Sequence, residues 1–382
     1  MLKEAVLLAD HNYRVTIINS SYSKQLSDED ARLLSGYPIK LISAIRLQDK
    51  YASSVVVRLM YKIGRILVKE FNIQTPLALG YASWKYKNIA IKQKADLYMA
   101  HQEMGLYCGV QLLKIKKKVA FDFEDWYSED LLSDARSYRP LRLLRQLEKY
   151  GLKNGVFCIT TSHVMAREMA GTYNVPVPVC IYNVFNKKTE ILNRTKEFKK
   201  PLQLFWFSQT TGPGRGLEQF FDLLNDLNVD LEVNLLGNLV NAHYKNQLQN
   251  LSVHPLNFYP LVESVQLPKL ISQFDIGLAL ELKEPLSRSL TVTNKLFQYM
   301  LSGLPVIATN TQGQSEIIKN YGGGILIDYD DPERSKTQIQ ELLTGEQTLQ
   351  VYRQQAVTAA NELCWDKQKV ILLDLVSAAL NG

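Results

Sequence analysis

Two short stretches of this sequence carry residue types that grip an anion. Ser208-Gln-Thr-Thr-Gly-Pro-Gly214 is followed at once by Arg215. A Gly-rich turn between a strand and a helix exposes backbone N–H groups, and a guanidinium beside it can fork onto two phosphate oxygens. Further on, Thr291 and Thr293 precede Asn294 and Lys295. Their hydroxyls suit the cap of a helix starting near Asn294, with a lysine charge beside its positive end. By spacing alone, Arg215 reads equally as a surface arginine and Lys295 as a solvated helix-start lysine. A third stretch, Phe121-Asp-Phe-Glu-Asp125, closes an apolar run. Carboxylates at such an edge, Glu124 and Asp125, can bind hydroxyl groups or accept a proton, although a solvated acidic loop has the same composition. His101 follows the apolar run from Asp96 to Ala100 and is a candidate proton carrier or a structural ring.

These residues need elements to hold them. Strand patterns fall at 13–19, 40–45, 96–100, 118–123, 155–161 and 177–182, with helical patterns at 2–10, 51–71, 104–116, 140–153 and 163–173. A polar, charged stretch follows. A second series then has strands at 202–207, 232–236, 275–279, 305–308 and 324–327, and helices near 214–226, 241–250, 266–273, 292–302, 312–320, 332–343 and 347–380. Apolar strands alternating with helices predict parallel sheets covered on both faces. The fold class is α/β, with two Rossmann-like doubly wound domains. Residues 1–185 form the first, 186–200 a linker, 201–365 the second, and 366–382 a C-terminal helix packing back toward the first. Ligands of such sheets bind at the carboxyl ends of the strands, so the active site is expected between the domains.

The chain has 382 residues, 46% of them hydrophobic and 21% charged, enough for two cores and too apolar for extended disorder. Cys108, Cys158, Cys180 and Cys364 have no paired or metal-type spacing, so neither a disulfide framework nor a zinc site is expected. No apolar run approaches the roughly 20 residues of a spanning helix, and no signal peptide opens the chain; a cytoplasmic protein is expected. Residues 1–200 hold 32 Lys and Arg against 19 Asp and Glu, and residues 201–382 hold 12 against 19, giving +13 and −7. Arg58, Lys62, Arg65 and Lys69 recur at helical spacing among Val, Leu, Met and Ile. Such a helix can lie at the inner face of an anionic membrane, or pack on a sheet with a solvated basic face. Nucleic acid is not an expected partner, because the basic residues are not interleaved with a recognition motif.

Asn294-Lys-Leu-Phe-Gln-Tyr-Met-Leu-Ser-Gly-Leu-Pro-Val-Ile307 resembles a stretch of the GT-B fold glycosyltransferases of family 4, the glycosyl transferases group 1. Ser208 to Glu218, Phe121 to Asp125 and Cys180-Ile-Tyr-Asn-Val184 are similar to further segments of that family. The resemblance implies a metal-independent hexosyltransferase with no cofactor. Its donor is a nucleoside-diphosphate sugar, a UDP-sugar first among them, and its acceptor a saccharide or a lipid-linked saccharide. Retention of configuration and a role in cell-surface polysaccharide synthesis are likewise implied. Donor-binding residues are then Ser208, Gly214, Arg215, Thr293, Asn294, Lys295 and Gln298, and acceptor-side catalytic residues are Glu124, Asp125 and His101. The sequence departs from the family in three ways. Leu290 and Gln298 stand where many members carry two glutamates, and Glu124 and Asp125 stand where many carry histidine and glutamate. The chain also opens on a helix where members usually place a first strand, so that strand is expected to be missing. An inactive nucleotide-sugar-binding protein and a nucleotide-sugar epimerase are the alternatives. Transfer products would distinguish the first, and epimer products the second.

Overall fold

The computed structural model describes residues 1–49, 52–192 and 196–382. Two compact units make up the chain: an N-terminal unit of residues 1–161, 166–181 and 369–382, and a C-terminal unit of residues 162–165 and 182–368.

In the N-terminal unit, β1 (Val15–Ser21) pairs in parallel with β2 (Ile39–Arg46). A second parallel sheet runs in the order β3 (Tyr98–His101), β4 (Val119–Phe123), β5 (Cys158–Thr160), β6 (Val179–Cys180). The single sheet expected from the sequence is thus two, because β1 pairs only with β2, and β3 only with β4, among the described residues. All five residues of β4 are buried, the outcome of an apolar strand covered on both faces. The helix Gln102–Leu113 contributes Leu106, Val110 and Leu112 to one covering layer, and Leu141–Asn154 contributes Leu144 and Leu147.

The C-terminal unit holds one six-stranded parallel sheet in the order β12-β11-β10-β7-β8-β9. Its strands are β7 (Leu202–Thr211), β8 (Leu231–Leu239), β9 (Leu256–Tyr259), β10 (Ile276–Ala279), β11 (Val306–Thr309) and β12 (Gly324–Ile327). Leu204, Trp206, Val233, Leu235, Ile276 and Leu278 join Phe220, Phe221 and Leu342 in its core. The half-buried β9 has no run of apolar residues long enough to announce it. The predicted helix 347–380 is two helices, Glu346–Glu362 and Trp365–Asn381. Leu363 leaves helical geometry at φ −89°, ψ 50°, which turns Leu363 and Cys364 into the interior while Trp365 N–H donates to Phe185 O at 2.9 Å. In the stretch 186–200, Thr189–Leu192 is a helical turn with Ile191 and Leu192 buried; residues 193–195 of that stretch lie outside the described residues.

Candidate active site

The strand order of the C-terminal unit reverses direction between β7 and β10, and ligands of doubly wound sheets collect at the carboxyl ends beside such a switch point. β7 runs four residues past the predicted end at Phe207. After a bulge, Thr210 and Thr211 rejoin β8 opposite Asn238 and Leu239. The turn is therefore confined to residues 212–216. Gly214 and Gly216 take φ +77° and +79°, a left-handed conformation that glycine adopts without a Cβ penalty. Arg215 sits between them, with its side chain 38% exposed.

Across the switch point β10 ends at Ala279, and two residues later Glu281 is buried. Its N–H donates to Thr309 Oγ1 at 2.9 Å. Lys295 Nζ donates to Glu281 Oε1 at 2.6 Å and the Thr293 hydroxyl at 3.4 Å. Glu281 Oε2 is buried and accepts no hydrogen bond; Arg288 Nε and Arg215 Nη1 stand 3.9 and 4.0 Å from it. Burial works to raise this carboxyl, but Lys295, then Arg215 and Arg288, outweigh it and hold Glu281 below the ordinary carboxylate range. The Lys295 ammonium also lies 5.7 Å from the centre of the Trp206 ring, within cation–π range.

The structure thus brings Arg215 and Lys295 to one focus, completed by Arg288 and Glu281, which the sequence reading missed. The expected hydroxyl cap is replaced. The helix Asn294–Met300 has only seven residues, and Thr293 precedes it without a side-chain cap bond. The Thr293 hydroxyl is directed to Glu281, and that of Thr291 donates to Ser287 O at 2.8 Å. Ser208 is half-buried in β7, Asn294 is exposed and Gln298 is buried; none makes a side-chain hydrogen bond to Glu281. Behind the loop, Gly313 allows the helix Gln312–Tyr321 to approach closely: a Cβ there would lie 2.5 Å from Thr291 O and 2.6 Å from Leu290 O. Gly313→Ala is expected to destabilise the protein by about 1–3 kcal/mol by shifting residues 290–295. An unchanged melting temperature would show that the loop absorbs the methyl group.

The N-terminal unit gathers a different cluster at the ends of β3 and β4. His101 Nδ1 lies 3.0 Å from Asp122 Oδ2 and 3.7 Å from Glu124 Oε1, and Nε2 lies 3.5 Å from Glu4 Oε2. Burial pulls the imidazolium down, but Asp122, Glu124 and Glu4 outweigh it and raise His101 to about 10. The surrounding carboxylates thus favour the charged ring, while burial works to raise Asp122, its nearest partner. Glu124 is held low chiefly by His101. Asp125 is raised to about 7, first by burial and then by Asp130, Glu124 and Asp122, which puts its proton equilibrium near working pH. Glu4, His101 and Asp122 place possible ligand atoms within 4.8 Å of one another; a metal ion there must first displace the imidazolium proton. An Asp-x-Asp triplet occurs at Asp328-Tyr329-Asp330, with Lys283 Nζ at 2.8 Å from Asp328 and 2.6 Å from Asp330.

The basic series lies on the helix Ala52–Phe71. Arg58 donates to Leu47 O at 3.0 Å, and Arg65 and Lys69 stand over the Tyr138 ring at 4.6 and 4.9 Å. Lys62 is exposed.

The architecture is that of the GT-B fold, and several solved structures share it over nearly the whole chain. HepE of Anabaena, in complex with UDP and glucose, aligns over 98% of this chain and 94% of its own, with TM-score 0.65 at 14% identity. Sucrose-phosphate synthase of Thermosynechococcus elongatus aligns over 98% and 91%, with TM-score 0.69 at 13% identity. A glycosyltransferase of Rickettsia africae aligns over 99% and 94%, with TM-score 0.63 at 13% identity. No curated protein sequence is a significant match. Residues 188–358 match the family "Glycosyl transferases group 1".

Proposed function

We propose that the C-terminal unit binds a nucleoside-diphosphate sugar and that the enzyme transfers its hexose, with retention and without a metal, to a saccharide or lipid-linked acceptor in cell-surface polysaccharide synthesis. One observation carries the reading: Arg215, Arg288 and Lys295 converge at the switch point beside a glycine turn. Negative charge grows on the leaving diphosphate as the glycosidic bond opens, and fixed cations aimed at that charge lower the barrier. The HepE structure holding UDP-glucose supports a UDP-sugar as donor. Glu124 and Asp125 are proposed to bind acceptor hydroxyls, and His101 to fix the carboxylates around it. In retaining transfer a donor phosphate oxygen takes the acceptor proton. Calorimetry with UDP, GDP and ADP tests the donor site. Binding of one diphosphate, lost on Arg215→Gln, is expected; a folded protein that binds none of the three overturns the reading.

Peripheral membrane contact is a second proposal. Among the described residues no helix is long and apolar enough to cross a membrane. The outer face of Ala52–Phe71, however, exposes Val55, Val56, Leu59, Ile63 and Ile66 beside its basic residues, while Val57 and Val68 face inward. Apolar anchors and basic side chains on one face suit an anionic bilayer surface. Flotation with vesicles containing anionic lipid is expected to carry the protein, and Leu59→Glu with Ile63→Glu to reduce the bound fraction about tenfold. Equal flotation of the wild type with neutral and anionic vesicles would defeat the electrostatic part, and no flotation the whole.

A further inference from the structure

The place of Glu281 is unusual for an anion site: a buried carboxylate stands at the point where three cations converge. Its Oε1 accepts from Lys295 at 2.6 Å and its backbone N–H donates to Thr309 Oγ1 at 2.9 Å, which hold the carboxylate beside the cations. Its Oε2 faces Arg215 and Arg288 with no hydrogen bond of its own. Three cations and one carboxylate leave the cluster at +2. The diphosphate of an intact nucleotide sugar carries two negative charges, because both phosphates are esterified. Once the sugar has left, the terminal phosphate gains a further ionisation with a pKa of about 6, so the spent nucleoside diphosphate carries about three charges at pH 8.

We propose that Glu281 is a specificity-determining residue that sets this charge balance: it disfavours the free nucleoside diphosphate relative to the nucleotide sugar and so promotes product release. This rests on the donor-site reading above. The added charge of the product meets a fixed like charge several ångströms away, and at an effective dielectric of about 20 that repulsion is equivalent to roughly 10- to 100-fold in affinity.

The test is calorimetry with UDP and UDP-glucose, at pH 8 and constant ionic strength, on the wild type and Glu281→Gln. The substitution is expected to tighten UDP at least about tenfold more than UDP-glucose. Because Glu281→Gln leaves Lys295 buried beside a neutral group, Lys295→Gln is also compared with Lys295→Gln/Glu281→Gln. In that pair the carboxylate is removed with no buried ammonium left behind, and the same shift in ratio is expected. At pH 5.5, where the terminal phosphate of UDP is largely protonated, the shift should shrink. A UDP to UDP-glucose ratio unaltered in both comparisons overturns the role of Glu281 while leaving the donor site standing. A wild type that binds neither ligand, nor GDP or ADP, removes the donor site itself.

Discussion

Lys295→Met is expected to lower donor turnover by about 10²–10³-fold and to destabilise the protein by about 3 kcal/mol. Both effects come from one atom. Among the described residues, Lys295 Nζ makes the only short hydrogen bond to the Glu281 carboxylate, and both side chains are over nine-tenths buried. Removing the ammonium leaves a carboxylate in a desolvated site, served by the Thr293 hydroxyl at 3.4 Å and two guanidiniums near 4 Å. The loss therefore falls at the lower end for an uncompensated buried charge. Glu281 is held below its ordinary value in the wild type, so its contribution is present above the carboxylate range and is lost as pH falls through it. The stability gap between wild type and variant should consequently be full at pH 7 and close below about pH 4. Lys295→Arg, which keeps the charge, should recover most of the stability. Urea denaturation at the two pH values, with donor hydrolysis and UDP calorimetry, measures these outcomes. A variant within about threefold of wild-type turnover would mean that Lys295 serves Glu281 alone and not the donor.

Much of this was legible because the family-like stretch from Asn294 to Ile307 couples a helix to a buried strand, and because Arg215 and Lys295 each abut an element boundary that the periodicity reveals. Glu281 and Arg288 were not. Glu281 lies in Glu281-Leu-Lys-Glu284, a mixed-charge segment that reads as a solvated turn, and Lys295 is fourteen residues away beyond the helix Leu286–Leu290. Only the parallel order, which puts β10 beside β7, makes that turn the floor of a site. The available signal was the charged residue two positions after the apolar β10. Glu4 was hidden in the same way, on a helix whose pattern shows which face is apolar but not that an acid at its edge meets His101. The helix Lys24–Leu33 buries none of its residues, so it lacks the apolar stripe by which a helix is recognised. Conversely, the sequence reading extended no strand past Phe207, because Ser208 to Thr211 are polar and interrupt the apolar run, although Thr210 and Thr211 pair with β8 and Thr211 is buried.

The second large effect is expected at Asp122. Asp122→Asn should destabilise the N-terminal unit by about 3–5 kcal/mol, the cost of removing one partner of a buried ion pair, and should bring His101 down from about 10. The pH dependence gives the sign. A histidine whose folded value lies above its unfolded value of about 6.5 stabilises fully below that value, and the contribution is lost as pH rises toward the folded value. In the wild type, stability should therefore decline between about pH 6.5 and 10, by about 1.4 kcal/mol per unit within that window. In the variant, only Glu124, a third exposed, and Glu4 at 3.5 Å remain, so the slope should flatten and the two profiles converge at alkaline pH. Urea midpoints from pH 6 to 10, with the His101 ring protons followed by NMR, give both quantities. A wild-type His101 titrating near 6.5, with stability level from pH 6.5 to 9, would show that the ring is neutral at working pH. It would then be free to exchange the acceptor proton, and the carboxylates around it would have to hold one another's charge without it.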